Sequence, residues 1–224
     1  MTSAAKSRAR ERLDEASARN RAEREALMAR AQGEHHRTPV QPLALLAALG
    51  AALPTSAVVV EEALSSGIGL RQLVRSDDPQ SFFGLRGGGI GWSLPASIGV
   101  KLALPDRPVV ALTGDGSAMY TCQALWTAAR DQVGVVFVIL NNRSYRILKQ
   151  RLHARRGHAA QNDLYVGMEL TDPPIDFVAL ARSMGVPAER ARRVSESIDL
   201  LKQGLAKRGP MLIEVELDRE FKPV

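Results

Sequence analysis

Residues 109–144 read VVALTGDGSAMYTCQALWTAARDQVGVVFVILNNRS. Two apolar runs rich in Val and Ile end abruptly in polar residues. The first ends in Gly114-Asp115-Gly116-Ser117, the second in Asn141-Asn142-Arg143-Ser144. Residues 118–130 between them are long enough for a crossover helix. That is a β-α-β unit, and its parallel strands place their C-terminal ends on one edge of the sheet. Neighbouring strands lie about 5 Å apart. Asp115 and Asn142 therefore face one small volume at the edge where open α/β sheets bind ligands. A carboxylate and a carboxamide oxygen are hard donors, and they suit a Mg²⁺ that keeps other positions for phosphate or water. Gly116 and Ser117 fall at the N-terminus of the following helix, where free N–H groups and the helix dipole favour an anion. The local reading is a Mg²⁺-diphosphate site.

Composition sets the frame around it. A chain of 224 residues with 45% hydrophobic content supports one domain, or one domain plus an appendage. No apolar run reaches the length of a membrane span, and the Arg-rich, Glu-bearing N-terminus lacks a signal peptide's apolar core. The single cysteine, Cys122, excludes an internal disulfide and fits a reducing cytoplasm. The net charge of +6 permits an anionic ligand, but the basic residues are dispersed, so a nucleic-acid surface is not expected.

Residues 1–37 form a charged, Ala-rich helical linker with few large apolar residues, expected to lie solvated. His35 and His36 diverge on a helix and make no metal site. The globular part runs over residues 38–224. Residues 43–53 are an apolar helix and residues 57–60 a short strand, followed by Glu61, Glu62 and the turn Ser65-Ser66-Gly67. A helix is expected near residues 70–74, a turn at Asp77-Asp78-Pro79 and a brief strand at Phe82-Phe83. The Gly-rich run of residues 84–91 leads into a helix over 93–104. Glycines there let backbone approach a ligand, but no register gives a dinucleotide fingerprint or a phosphate-loop lysine. Residues 145–152 are read as helix and 153–174 as a long binding or lid loop, with His153 and His158 as surface residues. Helices over 175–183 and 195–206 and a strand over 211–217 complete the chain. Strands alternating with helices define an α/β fold, an open, mostly parallel sheet with helices on both faces, preceded by the charged N-terminal helix. Trp92, Trp126 and Tyr120 are expected to pack inside, and Cys122 to be a buried thiol within the crossover helix.

GDG followed after 24 residues by NN resembles the signature of thiamine diphosphate (ThDP) enzymes, and GGGIGWSLPASIGVKLALPDRPVVALTGDGS is similar to their diphosphate-binding domain. The likeness covers about residues 38–224 and points to the acetolactate synthase, benzoylformate decarboxylase and pyruvate decarboxylase superfamily. SAMYTCQALWTAAR and NNRSYRILKQ lean toward its first two branches. The resemblance implies the ThDP-binding fold, ThDP and Mg²⁺ as cofactors, and decarboxylation or carboligation of a small 2-keto acid. It makes Asp115, the Asn142 side chain and the Ser144 carbonyl the metal ligands. Gly116, Ser117 and Ser65 become diphosphate contacts, with Ser66 as the alternative to Ser65. The Gly88 carbonyl becomes the acceptor for the aminopyrimidine, and Ile90 the wedge that holds the cofactor bent. Gly89 and Tyr145 are placed with these cofactor-binding positions, and Leu148 with the substrate pocket. Asn141 is expected to serve local backbone.

The resemblance also exposes what is absent. Family members are much longer and carry a pyrimidine-binding domain, normally on a partner subunit, whose Glu activates the cofactor. Glu61 and Glu62 lie beside the diphosphate turn and do not replace it, so no catalytic residue is expected in this chain. The expectation is a domain or split subunit working in a homo- or hetero-oligomer. The alternative is a non-catalytic, truncated ThDP-binding or assembly module.

Overall fold

The computed structural model describes residues 3–74, 76 and 78–221. The charged N-terminal segment is one helix, α1 (Ser3–Glu34), as its Ala, Arg and Glu content favours. It stays mostly exposed until its last turns, where Leu27 and Met28 pack on the domain and Ala31 is buried. Helix α2 (Pro42–Ala52) carries proline in its first turn, where a missing N–H costs nothing, and buries Leu45, Leu46 and Leu49. Then come β1 (Val58–Glu62), α3 (Leu70–Leu73), β2 (Phe82–Gly84), α4 (Ser93–Ala103) and β3 (Val109–Gly114). The crossover holds α5 (Asp115–Ala118) and α6 (Ala124–Arg130) before β4 (Val135–Asn141). Helices α7 (Arg146–Ala154), α8 (His158–Gln161) and α9 (Phe177–Ser183) lead to β5 (Ala188–Ala191), α10 (Val194–Ala206) and β6 (Met211–Glu216).

The six strands form one sheet in the order β2-β1-β3-β4-β6-β5, and every pair is parallel. The chain leaves β1 toward β2 on one side and returns to β3 on the other. The C-terminal ends of β1 and β3 therefore flank a switch point, where crossover segments diverge and leave a crevice.

Strand alternation feeds two cores. Val110 and Leu112 of β3, with Val136 and Val138 of β4, pack against α2 and α10 through Leu45, Leu49 and Leu201. Their neighbours Val109, Ala111, Val135, Phe137 and Ile139 face α4, α6 and α9 through Leu94, Leu125 and Phe177. Each fully buried Leu, Ile or Phe contributes about 1.5–3 kcal/mol, so this central pair of strands fixes the edge on which the site stands.

Several local expectations need correction. The crossover is not one helix over 118–130, since residues 119–123 form turns between α5 and α6. Cys122 lies in that turn and is only half-buried. Tyr120 and Trp126 are 54% and 52% exposed rather than packed, and the Arg130 guanidinium covers the Trp126 ring at 5.0 Å. Trp92 does pack, half-buried, against the α4 side. Residues 153–174 are not a plain loop. They begin inside α7, contain α8, and pair with the chain at Ser144. Strand β5, with the sequence AERA, went unread because two charged residues mask its two buried alanines. Asp77 of the expected turn lies outside the described residues, while Ser81 N–H donates to the Asp78 carbonyl at 3.2 Å.

Candidate functional site

Buried strands carry the polar groups to the switch point. A cavity of about 250 Å³ opens there, lined by Ser65, Ser66, Gly88, Ile90, Asp115, Gly116, Ser117, Asn142, Ser144, Tyr145 and Leu148 among others. Every site residue expected from the sequence lines it except Gly89, which sits exposed in the glycine run.

Asp115 is 2% exposed at the end of β3. Burial pushes its carboxyl up to about 6, against the pull of backbone N–H groups at Gly116, Arg143 and Ser144. The Ser144 N–H donates to its Oδ2 at 3.2 Å. Asn142, 3% exposed, donates from Nδ2 to Ser66 Oγ at 3.3 Å. That bond turns its Oδ1 the other way, and Oδ1 is a buried acceptor with no partner among the described residues. A buried, orphaned amide oxygen beside a desolvated carboxylate is costly unless a cation completes it.

Ser144, which also lines the cavity, offers a candidate third oxygen. It forms an antiparallel bridge with Glu169. The bridge's hydrogen bonds run from Tyr145 N–H to Met168 O and from Leu170 N–H to Arg143 O, both 2.9 Å. They flank Ser144, so its carbonyl stands outside the ladder. Carboxylate, carboxamide and carbonyl oxygens fit a hard divalent cation such as Mg²⁺. Among the described residues no three His, Cys, Asp or Glu side chains gather as a metal cluster. A cation held by these three oxygens would have one charged protein ligand, Asp115, and would lean on a bound anion for the rest.

The anion side differs from the sequence reading. Helix α5 is a single turn, so Gly116 and Ser117 gain little from a dipole, which needs aligned peptides. Gly116 is fixed by packing. A Cβ there would stand 2.5 Å from the Tyr145 ring, so only glycine lets that ring lie over the turn. Of the two serines, Ser66 is buried and bonded to Asn142, while Ser65 lines the cavity half-buried.

The sequence reading missed what holds the glycine run. Glu62, 1% exposed, accepts the Gly91 N–H on Oε1 and the Ser93 N–H on Oε2, both at 2.7 Å. It ties β1 to the start of α4 with a charge placed at a helix N-terminus. Both carboxylate oxygens accept a backbone N–H, which gives Glu62 a structural task at this junction. Thr121 Oγ1 donates to the Gly91 carbonyl at 2.6 Å, and this contact explains the break between α5 and α6. Gly91 has φ +88, and a Cβ would meet Tyr120 Cβ at 2.7 Å. The available signal was the position of Glu62 in register with Val58 and Val60, on the inward face.

The remaining histidines stand apart. His153 is not the surface residue expected: it is half-buried, with Nδ1 2.9 Å from the hydroxyl of the buried Tyr165, whereas His158 is exposed. Nearby, Lys149 is buried and ion-paired with Glu169, and burial lowers its ammonium below the usual range. Asn141 serves the backbone as expected, accepting the Arg143 N–H at 3.0 Å.

Fold and cavity define a class: α/β proteins that hold a ligand at the switch point of a parallel sheet. Residues 65–215 match the model of the thiamine pyrophosphate enzyme C-terminal TPP binding domain, and the chain belongs to that family. It is 41% identical over 170 residues to IlvX of Mycobacterium tuberculosis, whose name assigns it provisionally to the acetolactate synthase large subunits; the match covers 75% of this chain and 33% of that one. It is 38% identical over 177 residues to benzoylformate decarboxylase of Pseudomonas aeruginosa, covering 79% and 32%. The crystal structure of benzoylformate decarboxylase from Polynucleobacter necessarius superposes with a TM-score of 0.76 at 30% identity, over 83% of this chain and 34% of that one. The chain thus spans about a third of the length of these relatives. No helix among the described residues is long and apolar enough to cross a membrane.

Proposed function

We propose that this chain holds the Mg²⁺-bound diphosphate end of ThDP for a 2-keto acid decarboxylase or carboligase, and that a separate pyrimidine-binding domain or subunit completes the active site. The observation that carries this reading is the unpartnered, buried Asn142 Oδ1 beside Asp115. Asp115, Asn142 and the Ser144 carbonyl hold the cation. Ser65, Gly116 and Ser117 face the diphosphate, with Tyr145 packed over the turn. Gly88 and Ile90 receive the other end, with Gly89 between them outside the lining, and Leu148 borders the 2-keto acid. ThDP bound there supplies an electron sink that protein side chains lack.

The chain's own part is placement and exclusion of water. Ile90, Leu148 and Leu64, exposed by 44%, 48% and 53%, ring the open side of the cavity. An apolar rim around a polar floor favours cover by a second domain in a homo- or hetero-oligomer. A single half-buried cysteine accords with a reducing, cytoplasmic setting. Two measurements test the proposal. Mg²⁺ and ThDP together should raise the melting temperature more than either alone. The chain by itself should release no CO₂ from benzoylformate or pyruvate, and activity should appear with a pyrimidine-binding subunit. Turnover by the chain alone would overturn the need for a partner.

A further inference from the structure

One buried charge lies outside the cavity yet is wired to it. Glu214, on β6, is 1% exposed. Its Oε2 accepts from Arg190 Nε at 3.0 Å and lies 2.9 Å from Arg190 Nη2. A carboxylate this deep needs such a partner. Its Oε1 accepts instead from Asn141 Nδ2 at 2.7 Å. The other end of the Asn141 amide, Oδ1, accepts the Arg143 N–H at 3.0 Å. A carboxylate only accepts and a backbone N–H only donates, so the Asn141 amide has one possible orientation.

The bond from Arg143 spans an unusual conformation. Arg143 has φ +56, in the left-handed region that non-glycine residues avoid. The residues on either side of it are Asn142 and Ser144. The left-handed turn sets Asn142 against Ser66 and brings the Ser144 N–H to Asp115. We infer that Glu214 and Asn141 form a positioning relay that holds the left-handed turn at Arg143 and so sets the two donors, Asn142 and Ser144, against Asp115. This rests on the reading of those residues as cation ligands. Arg190 anchors the relay from β5. It also pairs with Asp176, the N-cap of α9, at 2.8 Å, so the far edge of the sheet is tied to the cation loop. Glu214 and Asn141 reach no cavity-lining position themselves.

The test is Mg²⁺ titration of the whole chain at saturating ThDP, followed by calorimetry, with amide exchange at Arg143 as a ligand-free readout. Asn141→Ala should weaken Mg²⁺ binding by about 10–100-fold, the usual loss when a residue supporting a ligand is removed, and should speed exchange at Arg143. Adding Arg143→Gly to Asn141→Ala should recover most of the affinity, because glycine adopts the left-handed turn without a relay. The charge swap Asn141→Asp with Glu214→Gln keeps one buried negative charge and should bind Mg²⁺ better than Asn141→Asp alone. Folded variants that bind Mg²⁺ like the wild type, or an Arg143→Gly addition that rescues nothing, would overturn the relay. A wild-type chain that binds no Mg²⁺ with ThDP would instead overturn the cation site, and the relay with it.

Discussion

The floor and the mouth of the cavity are built differently. On the floor, Glu62, Asp115, Asn142 and Ser144 are all at most 8% exposed, and their side chains are tied to backbone groups or to Ser66, with the Asn142 Oδ1 alone among them left without a partner among the described residues. At the mouth, Gly88 is exposed, and Ile90, Leu148 and Leu64 are half in solvent. The floor is settled by contacts within the chain, because it stands on the ends of three adjacent strands, β1, β3 and β4, packed on both faces. The mouth has apolar side chains and, among the described residues, no opposing surface. The difference teaches where function and stability are entangled: substitutions on the floor should move both, and those at the mouth should move stability little.

The contrast can be broken at several points. Glu62→Ala has the largest expected cost. It leaves the N–H groups of Gly91 and Ser93 buried without acceptors, each worth about 1–3 kcal/mol, so denaturant melts should show a loss of about 3 kcal/mol. Asp115→Asn should act in the opposite direction. Burial holds the Asp115 carboxyl near 6 against 3.8 when unperturbed, so folding takes up a proton between those values. Stability without added Mg²⁺ should therefore fall as pH rises from 4 to 6. At pH 7.5 the ionised side chain costs up to about 3 kcal/mol. Asp115→Asn should flatten that pH dependence and stabilise the chain at neutral pH while removing the one charged ligand proposed for the cation. Gly91→Ala meets both the strained φ and the Tyr120 Cβ. It should cost about 1–2 kcal/mol from the left-handed backbone alone, read as a lower melting temperature. Leu148→Ala at the mouth should stay within about 0.5 kcal/mol of the wild type. A larger loss would show that the mouth is packed against something in solution.

Much of this was legible in the sequence, for a physical reason. Two Val- and Ile-rich runs ending in GDGS and NNRS can hardly be anything but neighbouring parallel strands, and strand ends fix where Asp115 and Asn142 stand. The charged N-terminal helix was equally plain from composition. The Glu62 clamp was missed because its partners are backbone N–H groups about thirty residues away, which leave no side-chain pattern. The broken crossover was missed because Thr121 bonds to the glycine run instead of continuing the helix. Glu214 looked like an ordinary polar residue of an alternating strand. Its partners, Arg190 and Asn141, come from strands on either side that only the sheet order brings together.

The most direct test is calorimetric titration of ThDP into the chain with Mg²⁺, comparing wild type with Asp115→Ala. The wild type should bind only when Mg²⁺ is present, and the variant should lose at least a hundredfold in affinity, the expected result of deleting the single charged ligand of a cation site. Equal ThDP binding by the two proteins would contradict the assignment of Asp115 and the site built on it.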